Sequence, residues 1–420
     1  PQITFFKVVY RRHTNYSIEA IEQTLDGIAD FGNRVTCNIS RNGDLISRIY
    51  LEHSVSTKSV SENKALGITF DYGSHVMKEY EIEIGGQQID KQYGHWHSVW
   101  SSLREYNPSG HSVTLFNSMV GNGAGFDSQQ ASADEGARGW VTTNTGGTHH
   151  TIKTKNSLKI PLYFWFCRNI GLALPLIALQ YHEIKLNIIF EHLDRLILEK
   201  TNGGHDWSSS SGTWGEPAKV SGENIFKLWG DYVYLDTDER RRFAQASHEY
   251  LIEQLQFMQT SNNNTELYFN HPVKELIWTG VRTDAYSNGS TPPIQHSQDK
   301  DPLIFYRNKL YSDENTTYKL LFNGIERFVQ MNYRYFTRKQ KYDNHTGPGF
   351  IKETEIHDSI AVYSFALNPE EHQPSGTCNF SRIDNSQLIH TGNNININIY
   401  AINYNVLRIM SGMGGLAYSN

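Results

Sequence analysis

The sequence predicts an all-β protein built from two consecutive sandwich modules, and three observations predict it. Its apolar runs are short and rich in Val, Ile, Tyr and Phe, the residue types that suit a pleated, half-buried surface. A glycine-containing two-residue turn sits midway through each half, between alternating segments. Gly85-Gly86 lies between Glu81-Ile-Glu-Ile and Gln88-Ile-Asp, and Asn323-Gly324 between Tyr318-Lys-Leu-Leu-Phe and Ile325-Glu-Arg-Phe. Finally, Leu235–Phe243 (LDTDERRRF) has the layout of Ile402–Met410 (INYNVLRIM), and each follows a strand-like alternation. Hairpin and closing hook recur in the same order, so the chain reads as one module used twice, too few copies for a solenoid. Its 420 residues suit two cores of about 200 residues each.

Taken in order, Val35-Thr-Cys-Asn-Ile-Ser and Leu45-Ile-Ser-Arg-Ile-Tyr-Leu flank Asn42-Gly43, a dipeptide that predicts a type I′ hairpin. In the next hairpin Ile82 and Ile84 alternate with Glu81 and Glu83, which implies one buried and one wet face. Both mid-module hairpins are followed by aromatic-rich segments, His95 to Trp100 and Tyr333 to Phe336. The apolar run Ile160–Tyr181 has the length of a membrane span. Arg168 and Asn169 would then sit near its centre, where an Arg costs about 2.5–3.5 kcal/mol. Pro161 and Pro175 interrupt it as a helix, so it is read as two buried strands joined at Arg168-Asn169. Asp236–His248 is polar and helix-friendly, and Tyr250-Leu-Ile-Glu-Gln-Leu-Gln-Phe fits helix or strand by pattern, alternating correctly if it is the opening strand of the second module. The expected division is a first domain over residues 1–236, a short helical linker over 237–248 and a second domain over 249–420. Three polar stretches, Asn107–Lys159, Lys200–Glu223 and Thr283–Thr317, read as long loops. Few strands with long polar excursions suit jelly rolls.

Composition and motifs give little chemistry. A net charge of −6 and a near-neutral pI provide no nucleic-acid-binding surface, and the clusters Arg11-Arg12 and Arg240-Arg241-Arg242 are short. Three distant cysteines, Cys37, Cys167 and Cys378, have no zinc spacing and read as reduced, mostly buried thiols suited to a reducing cytosol. Pro1 is not a natural start, so a short N-terminal arm is expected before it. Gly121-Asn-Gly-Ala-Gly125 lacks the spacing of a phosphate loop and is read as a flexible loop. Among eighteen histidines, His95 and His97 would share one strand face, but no further ligand stands at a diagnostic spacing. Asp236-Thr-Asp238 begins like a calcium loop without the glycine and glutamate that complete one, and is read as a cap. No G-x-S-x-G elbow occurs. The expectation is no catalytic, cofactor-binding or metal residue. Sequons place possible glycans at Asn263, Asn288, Asn315 and Asn344, in polar loops; Asn38 and Asn379 lie in strand-like contexts, and Asn15 carries a further sequon.

Several blocks together carry a resemblance: Pro1–Arg12 (PQITFFKVVYRR), Phe31–Asp44 (FGNRVTCNISRNGD), Glu81–Lys91 (EIEIGGQQIDK), Gly171–Lys185 (GLALPLIALQYHEIK), Tyr234–Phe257, Phe269–Val273, Gln373–Asp384 (QPSGTCNFSRID) and Asn403–Asn420. In this order, end to end, the chain resembles the major capsid proteins of the nucleocytoplasmic large double-stranded DNA viruses, most closely the algal-virus type. The resemblance implies a double jelly roll, two consecutive eight-stranded antiparallel sandwiches. It further implies homotrimeric, pseudo-hexagonal capsomers that tile an icosahedral shell over an internal viral membrane. The partners it implies are neighbouring capsomers, minor capsid and penton proteins, without direct nucleic-acid contact. The place is the virion, with assembly in the host cytoplasm. The long loops depart most from the family pattern; Asn107–Lys159 and Thr283–Thr317 are expected to form an outer tower.

The alternative reading is a carbohydrate-binding or carbohydrate-cleaving β-sandwich, from the many Trp and Tyr residues and the acidic balance. A binding module leaves the duplicated layout unexplained. An unrelated cellular β-sandwich scaffold is weakened by the block matches.

Overall fold

A computed structural model describes residues 15–58, 66–68, 72–104, 112–121, 126–128, 151–154, 156–201, 213–217, 219–281, 315–347, 350–352, 355–356, 360–392 and 396–418. Its frame is sixteen strands. The first eight are β1 (Tyr16–Gln23), β2 (Arg34–Asn38), β3 (Leu45–Lys58), β4 (Met77–Ile84), β5 (Gln87–Tyr93), β6 (Leu158–Pro161), β7 (Ile184–Phe190) and β8 (Lys219–Leu235). They pair antiparallel in the orders β1-β8-β3-β6 and β2-β7-β4-β5. The second eight are β9 (His248–Thr260), β10 (Asn264–Glu266), β11 (Pro272–Val281), β12 (Thr317–Phe322), β13 (Ile325–Glu326), β14 (Ile360–Ser364), β15 (Ser386–His390) and β16 (Asn396–Met410). They pair in the orders β9-β16-β11-β14 and β10-β15-β12-β13. Adding eight to each strand of the first roll gives the second, so the chain is a double jelly roll. Shorter strands extend this frame: Thr151–Thr154 and Leu174–Pro175 flank β6 on the edge of β3, and Met413–Leu416 folds back on β16.

Three of the helices follow the mid-module hairpins or join the rolls. α1 (Gly94–Arg104) follows the β4–β5 hairpin, and α2 (Thr237–Gln245) joins the rolls. α3 (Gln340–Asn344) continues a π-helical turn, Tyr335–Lys339, after the β12–β13 hairpin.

Alternation builds each core. On β4, Tyr80, Ile82 and Ile84 are buried while Glu79, Glu81 and Glu83 stand half-exposed on the other face. The inward set meets Leu51, Leu228 and Tyr232 from the facing sheet. In the second roll Leu276, Trp278 and Ile399 meet Tyr318, Leu320 and Phe336. Both mid-module hairpins close as the sequence predicts. Ile84 pairs Gln87 across Gly85 (φ 58°) and Gly86 (φ 82°), and Phe322 pairs Ile325 across Asn323 (φ 50°) and Gly324 (φ 78°). All four sit in the left-handed region a type I′ turn demands.

Four expectations are corrected. Asn42-Gly43 is not a hairpin, because β2 pairs β7 in one sheet while β3 pairs β8 in the other. Gly43 serves close approach instead: a Cβ there would lie 2.9 Å from Tyr232 Cβ. The run Ile160–Tyr181 is not two strands. β6 ends at Pro161, a helical turn covers Trp165–Arg168, a 3-10 turn covers Ile170–Leu172, and only Leu174–Pro175 returns to β3. Its apolar residues plug one end of the first core, Phe164, Trp165 and Phe166 among them. Among the described residues no helix is long and apolar enough to cross a membrane.

The matched hooks are not one structure either. Asp238, Arg241 and Phe243 lie on α2, whereas Asn405, Arg408 and Met410 continue β16. Asp44 ends the first strand by accepting the Leu235 amide at 2.8 Å and pairing with Arg240 at 2.9 Å, and Asp236 caps α2 through the Thr237 amide. β16 goes on because β9 pairs it along its length, from Ile397 to Ile409. Its counterpart is β8. Lastly, His95 and His97 lie on α1, not on a strand. Of the long polar stretches, Asn107–Lys159 contains a helix, Ser112–Val120, and strands Phe126–Ser128 and Thr151–Thr154. Residues 122–125 of the glycine loop, most of Thr283–Thr317 and residues 202–212 lie outside the described residues.

Candidate functional site: the seam between the rolls

The two rolls meet where β5 and α1 of the first cover the β9-β16-β11-β14 sheet of the second. α1 carries apolar residues at Trp96, Val99, Trp100 and Leu103, the spacing of one helical face. That face packs on Ile277, Ile360, Val362, Tyr400 and Ile402. The second roll's sheet is therefore buried on both sides, with Leu276 and Trp278 turned inward and Ile277 outward. Double-sided burial explains why β16 is buried continuously from Ile397 to Asn405 rather than at alternate residues.

Polar groups fasten the edge of β9. Asp90 on β5 accepts the Leu255 amide at 3.1 Å, and Gln254 Nε2 donates to the Ile89 carbonyl. Asp90 also accepts from Gln92 Nε2 at 2.7 Å and the Lys91 amide at 3.0 Å. Burial nevertheless pushes its carboxyl up to about 7.

Deeper in the seam sits a buried ionic chain. Glu253 lies between Arg168 at 2.9 Å and Lys274 at 2.7 Å, with side-chain exposures of 8%, 13% and 1%. Arg168 stacks 5.3 Å from the Trp100 ring. Burial alone would raise Glu253, but Arg168 and Lys274 outweigh it and hold the carboxyl below its usual range. Next to it, His345 lies 3.2 Å from Glu275 and 3.0 Å from Glu370, and meets Trp100 edge-on. Burial opposes a charge on this ring, yet the two carboxylates prevail and raise it to about 8. At the far end, the Gly414 carbonyl bonds His182 Nδ1 at 2.9 Å and the Leu416 amide donates to Gln87 at 3.3 Å. These carboxylates already hold cations from the protein itself. The arrangement is a rivet: apolar packing with an internally neutralised charge chain.

The sequence-derived candidates do not converge on this seam. Asn263 is exposed and donates to the Gly392 carbonyl at 3.1 Å, and Asn315 is exposed. Asn344 is half-buried, with its amide nitrogen on the Gln340 carbonyl at 2.7 Å and its sequon Thr346 on Glu370 at 2.7 Å. Asn288 lies outside the described residues. His97 is buried between Ser74 and the Pro161 carbonyl, and burial pushes it down to about 4. His95 bonds the Tyr400 hydroxyl at 2.7 Å, so both histidines are structural. The three cysteines are free thiols, Cys37 buried and the others half-buried. Among the described residues no group of three or more His, Cys, Asp or Glu side chains could hold a metal ion. Sequence reasoning missed Arg168, Glu253, Lys274, Glu275 and His345. The available signal was Arg168 in the middle of an apolar run and Lys274-Glu275 inside Pro272-Val-Lys-Glu-Leu-Ile-Trp.

Two family models match the chain in succession. Residues 4–236 match the major capsid protein N-terminus, and residues 239–415 match the large eukaryotic DNA virus major capsid protein. The chain belongs to this capsid protein family. The Pyramimonas orientalis virus major capsid protein is 44% identical over 445 residues, covering 100% of this chain and 95% of the relative. The Paramecium bursaria Chlorella virus 1 major capsid protein is 36% identical over 470 residues, again across 100% of this chain and 95% of the relative. Among solved structures, the PBCV-1 virus capsid superimposes with a TM-score of 0.69 at 34% identity, covering 99% of this chain and 100% of that one. The two matched segments of the capsid family meet at α2, and the seam joins the rolls on either side of it.

Proposed function

We propose that this chain is a major building block of an icosahedral virion shell, working as a homotrimeric, pseudo-hexagonal capsomer. The observation that carries the reading is the seam, which locks two equivalent jelly rolls into one block. A rigid pair of like rolls lets three copies present six similar edges, so a hexagonal lattice needs no chemical six-fold symmetry. In this reading the partners are neighbouring capsomers, minor capsid and penton proteins, and an internal membrane beneath the shell. The role is structural, without catalysis and without direct contact to nucleic acid. Three free thiols suit assembly in the host cytoplasm. The domain division follows the same logic: one roll over residues 1–236, a linker over 237–248 and a second roll over 249–420.

The carbohydrate reading loses part of its support, since Trp96, Trp100, Trp165 and Trp278 are buried in the seam or the cores rather than displayed for sugar stacking, while Trp229 is half-exposed. Exposed Asn263 and Asn315 remain the better glycan acceptors, and peptide mass spectrometry of virion protein would detect the added mass. Quantitative protein analysis of purified particles tests the main reading. This chain should be the most abundant shell component; a trace level would assign it to a minor position instead.

A further inference from the structure

The short strand Met413–Leu416 lies across the boundary between the rolls like a strap. β9 takes one edge of β16 from Ile397 to Ile409. β11 takes the other edge only as far as Asn403, and the strap then occupies it from Leu407 to Met410. The chain turns back for this through Ser411 (φ 51°) and Gly412 (φ 79°), both in the left-handed region that a tight two-residue turn requires. On the second roll the Ala417 amide donates to the Val406 carbonyl at 2.8 Å, and Asn405 Nδ2 donates to the Tyr418 carbonyl at 3.0 Å.

The other side of the strap lies on the first roll. The Tyr181 amide donates to the Gly412 carbonyl at 3.0 Å. His182 Nδ1 stands 2.9 Å from the Gly414 carbonyl and 3.2 Å from the Gly414 amide, and the Leu416 amide donates to Gln87 Oε1 at 3.3 Å. Side chains of the first roll thus take backbone groups that a neighbouring strand would otherwise satisfy. Glycine makes the approach feasible. A Cβ on Gly412 would lie 2.5 Å from the Tyr181 ring, and one on Gly414 2.6 Å from the buried Leu179. Leu416 packs against the first roll's core cluster, which Leu407 and Ile409 of β16 also join. Asn405 ties the strap to the seam as well. It donates to Gln254 Oε1 at 2.9 Å, and Gln254 Nε2 in turn donates to the Ile89 carbonyl.

Two grips of unequal strength therefore hold the rolls together. α1 buries a continuous aromatic and aliphatic face. The strap pairs over four residues, leaves Met413 (52%) and Tyr418 (62%) exposed, and meets the first roll largely through single hydrogen bonds. Segments with few buried apolar contacts open locally at low free energy while the core stays closed.

We propose that residues 411–418 are a latch, coupling the two rolls when docked and opening locally while the α1 seam stays shut. The latch acts within one chain, so it stands or falls apart from the capsomer.

Hydrogen-exchange mass spectrometry of the full chain tests it on wild type, His182→Ala and Gly414→Val, with the exposed Met413→Ala as control. Tyr181 is the decisive reporter, a first-roll amide whose acceptor is the strap's Gly412 carbonyl. In wild type, peptides carrying Tyr181 and residues 412–418 should exchange together, and faster than peptides of α1. Losing the His182 contact should speed both about tenfold, the worth of one hydrogen bond, with α1 and the control unchanged. Gly414→Val should speed them at least as much by wedging the strap off Leu179. Three results overturn the latch: strap amides as slow as those of α1, a Tyr181 amide that ignores both variants, or variants that speed α1 along with the strap.

Discussion

Glu253 is the residue on which the seam's electrostatics turn. It pairs with two buried cations, and removing it strands Arg168 and takes the nearest carboxylate from Lys274 in a nearly dry environment. Breaking such a pair costs about 3–5 kcal/mol, so Glu253→Ala should lower the urea midpoint by that much stability. The glycines make a second residue-scale contrast. At Gly86 nothing lies within 4 Å of an added Cβ, so Gly86→Ala meets only the strain of its positive φ, about 1 kcal/mol. At Gly43 the added methyl meets Tyr232, and overpacking of this kind costs about 1–3 kcal/mol. Paired unfolding curves should rank Gly43→Ala as the more damaging. Titration supplies a third test. His345 is raised from 6.5 to about 8, so its contribution is complete below pH 6.5 and is lost as pH rises through 8. Asp90 is raised from 3.8 to about 7 by burial, so its contribution too is lost as pH rises, between those two values. From pH 6.5 to 8 the His345 contribution should therefore make stability fall. From pH 4 to 6.5 the fall from Asp90 is opposed by buried His97, held down near 4. Asp90→Asn should thus shift the slope of that lower range toward stability that rises with pH in denaturant titrations.

At the scale of elements, α1 carries the apolar half of the seam. Trp100 touches the second roll's face and also flanks Arg168 and His345. Large-to-small truncation of a buried Trp costs about 3–5 kcal/mol, so Trp100→Ala should destabilise strongly in calorimetry. It should also separate the two rolls' transitions, because the element between them is what it weakens. The sequence made some elements plain and hid others for physical reasons. The β4–β5 and β12–β13 hairpins were legible because their turns need positive φ and local residues supply it. Asn42-Gly43 misled because strand partners are chosen across the fold: β2 and β3 pair with β7 and β8, more than a hundred residues away. Ile160–Tyr181 misled because a buried apolar run has no alternation to tell strand from wedge. The hooks matched by letter while Asp44 bent one chain into a helix and β9 kept the other extended. The seam was the least legible, since Arg168, Glu253, Lys274 and His345 come from four distant segments that only the folded chain brings together.

For the whole molecule, duplication matters because the seam fixes two like rolls as one block. The family assignment and the seam lead to the same picture, a rigid two-roll block of which three copies make a capsomer. The solution mass of the purified chain tests that claim most directly. A stable species near three times 48.1 kDa is the predicted result, and a clean monomer across the accessible concentration range would contradict it.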